Sequence, residues 1–190
     1  MNFAETYKAE VIDTVNMIDA ELVNRAIEWF KEARDKNHHI FTCGNGGSGS
    51  TASHFVCDVL KGASYNREKK FRILSLNDSM ATLTAYSNDV HYDSVFVEQL
   101  RNYAQPGDLV MAVSGSGNSS NVVKALEFAN QAGCRTIALT GRDGGQLGGV
   151  AQLNIQVPEQ HMGRIEDAHM IICHMIAYHF MENEKGSAQN

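Results

Sequence analysis

Apolar positions along the chain fall into two rhythms. From residue 3 to about residue 35 they recur at three- and four-residue steps, through Val11, Ile12, Val15, Ile18, Leu22 and Ala26, which is the spacing of an amphipathic helix. Beyond residue 38 short apolar runs take over, at 39–43 (HIFTC), 71–76 (FRILSL), 109–114 (LVMAVS), 135–140 (RTIALT) and 153–157 (LNIQV). Helical patterns lie between most of them, and a closing helix rich in Met, Ile and His is predicted over about 163–182. Strands alternating with helices form βαβ units and a parallel sheet. Continuous apolar runs suit strands covered on both faces. The pattern therefore predicts an α/β fold: a three-layer α/β/α sandwich around a five-stranded parallel sheet, with long helices at both ends. The 190 residues suffice for one core, so 1–190 reads as a single domain in which 1–36 is a helical extension.

Composition narrows the function classes. A net charge of −6 argues against a nucleic-acid partner. No stretch approaches the 18 apolar residues of a membrane span. The start, MNFAETYKAEV, lacks the basic and apolar regions of a signal peptide. Cys43, Cys57, Cys134 and Cys173 are scattered without a C-x-x-C pair, so a reduced, cytoplasmic chain is expected. The polar tail after Met181 is expected to fray.

Two loops carry the candidate chemistry. The first strand ends in CGNGGSGSTASHF and the third in SGSGNSSNVVKAL. Each Gly/Ser loop joins a strand to a helix, where free backbone N–H groups and the positive dipole end attract an anion. Glycine admits close backbone approach, and serine hydroxyls add neutral donors. In the strand order 2-1-3-4-5, strands one and three are neighbours at the topological switch point, where ligands bind. Both loops would then flank one crevice. Gly44, Gly46 and Gly49 also satisfy G-x-G-x-x-G, but a dinucleotide site wants an acidic residue about 20 positions on. The second strand instead runs into Leu76, Asn77 and Asp78, roughly 30 on.

Four segments in order, GNGGS (44–48), SGSGNSSNV (114–122), LTGRDGG (139–145) and RIEDAHMIICH (164–174), resemble the sugar isomerase (SIS) domain, and within it the phosphoheptose isomerases. The similarity covers almost the whole chain. A replication-initiation factor that binds DnaA shares the fold and several of these motifs, which makes a non-catalytic regulator the alternative, beside an isomerase for another phosphosugar. The resemblance implies conversion of sedoheptulose 7-phosphate to D-glycero-D-manno-heptose 7-phosphate. It implies a substrate site built from Asn45, Gly46, Gly47, Ser48, Ser114, Gly115, Ser116, Ser119 and Glu166, with the phosphate on the four serines. Asn88 and Asp89 match a polar pair of the family. Relatives carry S-T-S-G-N-S, so Gly115 removes one hydroxyl.

Aldose–ketose isomerisation needs a base near the carbon and an acid near the carbonyl oxygen, and a divalent metal can polarise that carbonyl. His54 and Asp58 are four apart and share a helix face. Glu166 and His174 are eight apart and lie about 80° from each other around the axis. Spacing alone does not choose His174 over His169 or His179. The resemblance does: it implies Asp58 and His174 as base and acid, and His54, Asp58, Glu166 and His174 as ligands of one zinc per site. Two departures stand out, Asp58 for the family's glutamate and Glu166 for its glutamine, and Gly163 stands where an aspartate is common. The long amphipathic first helix has apolar face to bury against another subunit, and the resemblance implies a homotetramer with active sites between subunits. Trp29 is expected to be packing and Asp143 a turn residue.

Overall fold

The structure is a computed structural model that describes residues 2–183. In chain order it comprises α1 (Phe3–Asn16), α2 (Ala20–Asp35), β1 (His39–Gly44), α3 (Gly46–Cys57) with a π-helical turn at Asp58–Gly62, β2 (Arg72–Ser75), α4 (Met80–Asp89), α5 (Val97–Tyr103), β3 (Leu109–Ser114), α6 (Ser120–Gln131), β4 (Arg135–Gly141), α7 (Gly145–Val150), β5 (Leu153–Val157) and α8 (Met162–Asn183). Helix α8 continues past Met181, and the rest of the tail expected to fray lies outside the described residues.

The five strands are all parallel, in the order β2-β1-β3-β4-β5 that the switch-point argument requires. Alternate strand residues feed two cores. Ile40, Met111, Val113, Leu139 and Ile155 meet α2, α3 and α8 on one face. Phe41, Cys43, Val110, Ala112 and Ala138 meet α5, α6 and α7 on the other. That double coverage explains why the strands read as continuous apolar runs. Pairing of Gly44 with Val113 puts the ends of β1 and β3 side by side, so both Gly/Ser loops leave one edge of the sheet together.

The helix expected over 3–35 is two helices. The Met17 N–H closes α1 on the Thr14 and Val15 carbonyls. The Asp19 carboxylate then accepts the N–H groups of Glu21 (2.9 Å) and Leu22 (3.3 Å), starting α2 afresh. The apolar steps run across this break, which hides it in the pattern. Helix α2 is core rather than an added extension: Val23, Ala26, Ile27, Phe30 and Ala33 are buried within the chain, and Trp29 packs beside them under the Arg135 guanidinium. Helix α1 lies on α8 instead and leaves Phe3 and Ile12 exposed.

Helix α1 is tied down by a charged knot. Arg164 at the start of α8 makes a two-pronged contact with Glu159 (2.8 and 3.1 Å) and reaches Glu10 on α1 (2.7 Å). Thr14 of α1 donates to the same Glu159 carboxylate at 3.0 Å. The Arg164 guanidinium, followed by the His161 backbone N–H, holds the Glu159 carboxyl well below the usual carboxylate range. A depressed folded-state pKa stabilises above the unfolded value, and that contribution is lost as pH falls toward the folded one. Glu159→Gln should therefore melt lower than the parent at neutral pH. The gap should narrow as pH drops from about 5 to about 3, through the unfolded carboxylate range. Thermal melts across that range check this, and a gap that stays constant would contradict it.

Candidate active site

The first loop is built by close packing. A Cβ on Gly44 would sit 2.7 Å from the Ser48 carbonyl and 2.8 Å from the Val113 oxygen, and one on Gly49 would sit 2.9 Å from the Gly44 oxygen. Gly46 turns the chain at φ +53°. The three glycines of the G-x-G-x-x-G spacing thus serve a tight strand-to-helix turn, and the dinucleotide reading has nothing further to stand on. Asn77, just past β2, clamps the turn: its amide donates to the Gly44 carbonyl (2.7 Å) and accepts the Gly44 N–H (3.2 Å).

Asn45 is committed to holding the two loops together. It forms a reciprocal amide pair with buried Asn121 on α6 (2.8 and 3.0 Å) and accepts the Tyr92 hydroxyl (2.8 Å). Its side chain is a brace between the loops. Asn77 and Asn121 are positioning residues that sequence reasoning missed. An asparagine in a loop reads as a turn former, and only the folded chain shows what its amide grips.

The braced loops carry the serines expected to bind phosphate. Gly46, Gly47 and Ser48 form the first turn of α3, and Ser48 is buried. Ser114 donates to the Ser119 hydroxyl at 3.4 Å, and Ser119 starts α6 without capping it by its side chain. The Ser116 hydroxyl accepts the Asn118 N–H at 3.2 Å. At Gly115 a Cβ would lie 2.6 Å from the Met162 sulfur, so a thioether covers the place of the missing side chain. Ser114 and Ser119 meet at the start of α6, and Ser48 lies in the first turn of α3, which Asn45 ties to α6, so both groups sit at helix N-termini. Asp143 caps its own turn through the Gly145 N–H, as expected.

The second constellation sits at the far end of α3. Asp58 Oδ2 lies 3.3 Å from His54 Nε2 and 3.6 Å from His174 Nε2, and the two imidazole nitrogens are 3.4 Å apart. Asp58 opens the π-helical turn, and its Oδ2 is buried with no hydrogen-bond partner. An orphaned carboxylate oxygen facing two ring nitrogens is a natural cation site. Tetrahedral zinc, with bonds of ~2.0–2.1 Å, needs ligand atoms ~3.3 Å apart, and the triad meets that spacing. All three residues belong to one chain, so the meeting of α3 and α8 needs no second subunit.

Glu166 does not join this group, contrary to the expected four-ligand set. Eight residues along α8 is ~12 Å of rise, which carries it to the other end of α3. Its carboxylate there rests on Gly47, with Oε1 2.6 Å and Oε2 3.1 Å from where a Cβ would be. The choice among the α8 histidines is settled by facing. His169 is fully buried, and that burial pushes its imidazole down to about 4. His179 packs edge-on against Phe180. Of the three, only His174 points at Asp58. Asn88 and Asp89 end α4, exposed and hydrogen-bonded to each other at 2.7 Å, and among the described residues no bond joins them to either loop.

Comparison with known proteins gives the family. The SIS domain family matches residues 5–141. The phosphoheptose isomerase of Alteromonas mediterranea is 34% identical over 177 residues, covering 91% of this chain and 87% of that protein. A probable phosphoheptose isomerase of Thermoplasma volcanium is 44% identical over 137 residues, with coverage of 72% and 69%. Among solved structures, the phosphoheptose isomerase of Neisseria gonorrhoeae superposes with a TM-score of 0.86 at 30% identity, over 93% of this chain and 96% of that one. That of Francisella tularensis gives 0.85 at 25%, over 96% and 95%. With fold, braced loops and helix ends all in place, the chain belongs to the SIS-domain family, in its phosphoheptose isomerase branch.

Proposed function

We propose that the protein interconverts sedoheptulose 7-phosphate and D-glycero-D-manno-heptose 7-phosphate. One observation carries the reading: α3 opens on the Gly46–Gly47–Ser48 turn and ends at the His54–Asp58–His174 triad. From Ser48 to His54 is six residues, ~9 Å along the axis. That span suits a phosphate and a carbonyl separated by several carbons. The braced cradle fixes the phosphate end, so the remaining chain is delivered to the triad in one orientation.

At the triad Asp58 takes the proton from C1 of the ketose while His174 donates one to the C2 oxygen, giving an enediol. Asp58 then returns its proton to C2, and His174 recovers one from the C1 oxygen, leaving the aldose. Where one zinc per site is held by His54, Asp58 and His174, the metal-bound His174 nitrogen carries no proton, and the metal would supply in its place the polarisation of the carbonyl and the stabilisation of charge on its oxygen. Ser48, Ser114, Ser116 and Ser119 bind the phosphate, with the backbone of Gly46, Gly47 and Gly115. Asn88 and Asp89 are proposed to meet the sugar from a neighbouring subunit, since within the chain they reach neither loop. Four unpaired cysteines suit a cytoplasmic setting.

The assembly is read as a homotetramer. Phe3, Tyr7, Val11, Met170, Ile171 and His174 line an open groove between α1 and α8, and Phe3 is 82% exposed. A second copy seated there would cover this apolar face and close the open side of His174.

Incubation of the purified protein with sedoheptulose 7-phosphate should yield the aldose, and Asp58→Ala and His174→Ala should each lower kcat by about 10²–10⁴. Absence of product with and without added zinc would refute the reading. Light scattering should give the mass of four chains, and Phe3→Asp should reduce it. A wild-type monomer would contradict the assembly.

A further inference from the structure

Between α4 and α5 the chain makes one short helical turn at Tyr92–Ser94. Its two sides are held very differently. Helix α4 before it buries no residue. Val95 and Phe96 after it are fully buried in the second core. The Gln99 amide of α5 donates to the Val95 carbonyl (2.7 Å) and to the Leu76 carbonyl at the end of β2 (3.0 Å). The turn therefore stands on a fixed base.

From that base two consecutive side chains reach two different helices. The Tyr92 hydroxyl donates to Asn45, the residue that precedes α3 (2.8 Å). The Asp93 carboxylate accepts the hydroxyl of Ser120, the first residue of α6, and the Lys124 ammonium one turn further along (3.0 Å). Ser120 and then Lys124 hold the Asp93 carboxyl below the usual carboxylate range, so it is ionised at neutral pH. Asn45 leads directly into Gly46, Gly47 and Ser48, and Ser120 follows Ser119. One turn thus fixes the starts of both helices. A lone carboxylate at the start of α6 would repel a phosphate. Lys124 cancels that charge, so Asp93 can hold α6 without opposing an anion.

We propose that Tyr92 and Asp93 are positioning residues: neither touches the ligand, and together they set the separation of Ser48 from Ser119 at which one phosphate bonds both loops. This rests on the phosphate site proposed above.

The test is calorimetric binding of a hexitol 6-phosphate, which lacks a carbonyl and cannot turn over, with steady-state kinetics on sedoheptulose 7-phosphate beside it. Tyr92→Phe removes one hydroxyl and no charge, and should weaken the hexitol phosphate by about fivefold. Asp93→Ala and Asp93→Asn both release Lys124, but only the amide can still accept the Ser120 hydroxyl. Asp93→Asn should therefore bind about fivefold more tightly than Asp93→Ala. In the kinetics the same losses should fall on KM rather than on kcat. Residues that merely support the fold would lower the melting temperature and leave the affinity of the folded protein unchanged, and that result overturns the positioning role, as does a loss confined to kcat. Ser119→Ala separates the two readings. If it weakens the hexitol phosphate while Tyr92→Phe and Asp93→Ala do not, the positioning role falls and the phosphate site stands. If Ser119→Ala leaves the affinity untouched, the phosphate site fails and the positioning role with it.

Discussion

Much of this structure depends on how closely β1 is allowed to approach α3. Gly44 lies where a single added carbon would collide with the Ser48 carbonyl and the Val113 oxygen. With that carbon absent, the strand turns directly into the helix, and the helix axis is fixed against the sheet. Asn77 locks the turn from β2, and the Asn45–Asn121 amide pair locks it to α6. Phe55 then anchors the last turn of α3, edge-on to Phe30 of α2. Helix α3 becomes a ruler with a different chemistry at each end. Its first turn is Gly46, Gly47 and Ser48, while its last turn meets α8 through Asp58 and His54.

Helix α8 supplies the second half of both ends. Ile165, Ile172, Cys173 and Ile176 bury one face, and that burial sets which residues look toward α3. Glu166 falls by the cradle and His174 by the triad. Burial of Cys173, and then the nearby Asp58 carboxylate, pushes its thiol up to about 12, so it stays a neutral packing group beside the charged site. On the proposed reading one ligand would meet this helix at both ends, held by a rigid element rather than by separate loops.

The strands, the sheet order and the two loops were legible because each has a local cause. Buried parallel strands must be apolar on both faces, and an anion loop must be rich in Gly and Ser. The break at Met17–Asp19 was not legible, since Asp19 caps α2 without interrupting the apolar steps on either side. The roles of Asn45, Asn77 and Asn121 were hidden because an amide's partner is a matter of three dimensions. Spacing put Glu166 and His174 loosely on one side of α8, but rise along the axis separates them into different sites. The resemblance carried the triad residues correctly to one place. It also brought Glu166 to that place, and the contact with Gly47 removes it from there.

The central claim is that one ligand spans α3, with its phosphate at the first turn and its reacting carbons at the last. A crystal structure with a bound heptitol 7-phosphate and zinc, recorded at the zinc absorption edge, tests it most directly. The account predicts phosphorus beside Ser48, Ser116 and Ser119, carbons 1 and 2 beside Asp58 and His174, and the anomalous peak among His54, Asp58 and His174. Phosphorus at the triad, or an anomalous peak at Glu166 and Gly47, would contradict it.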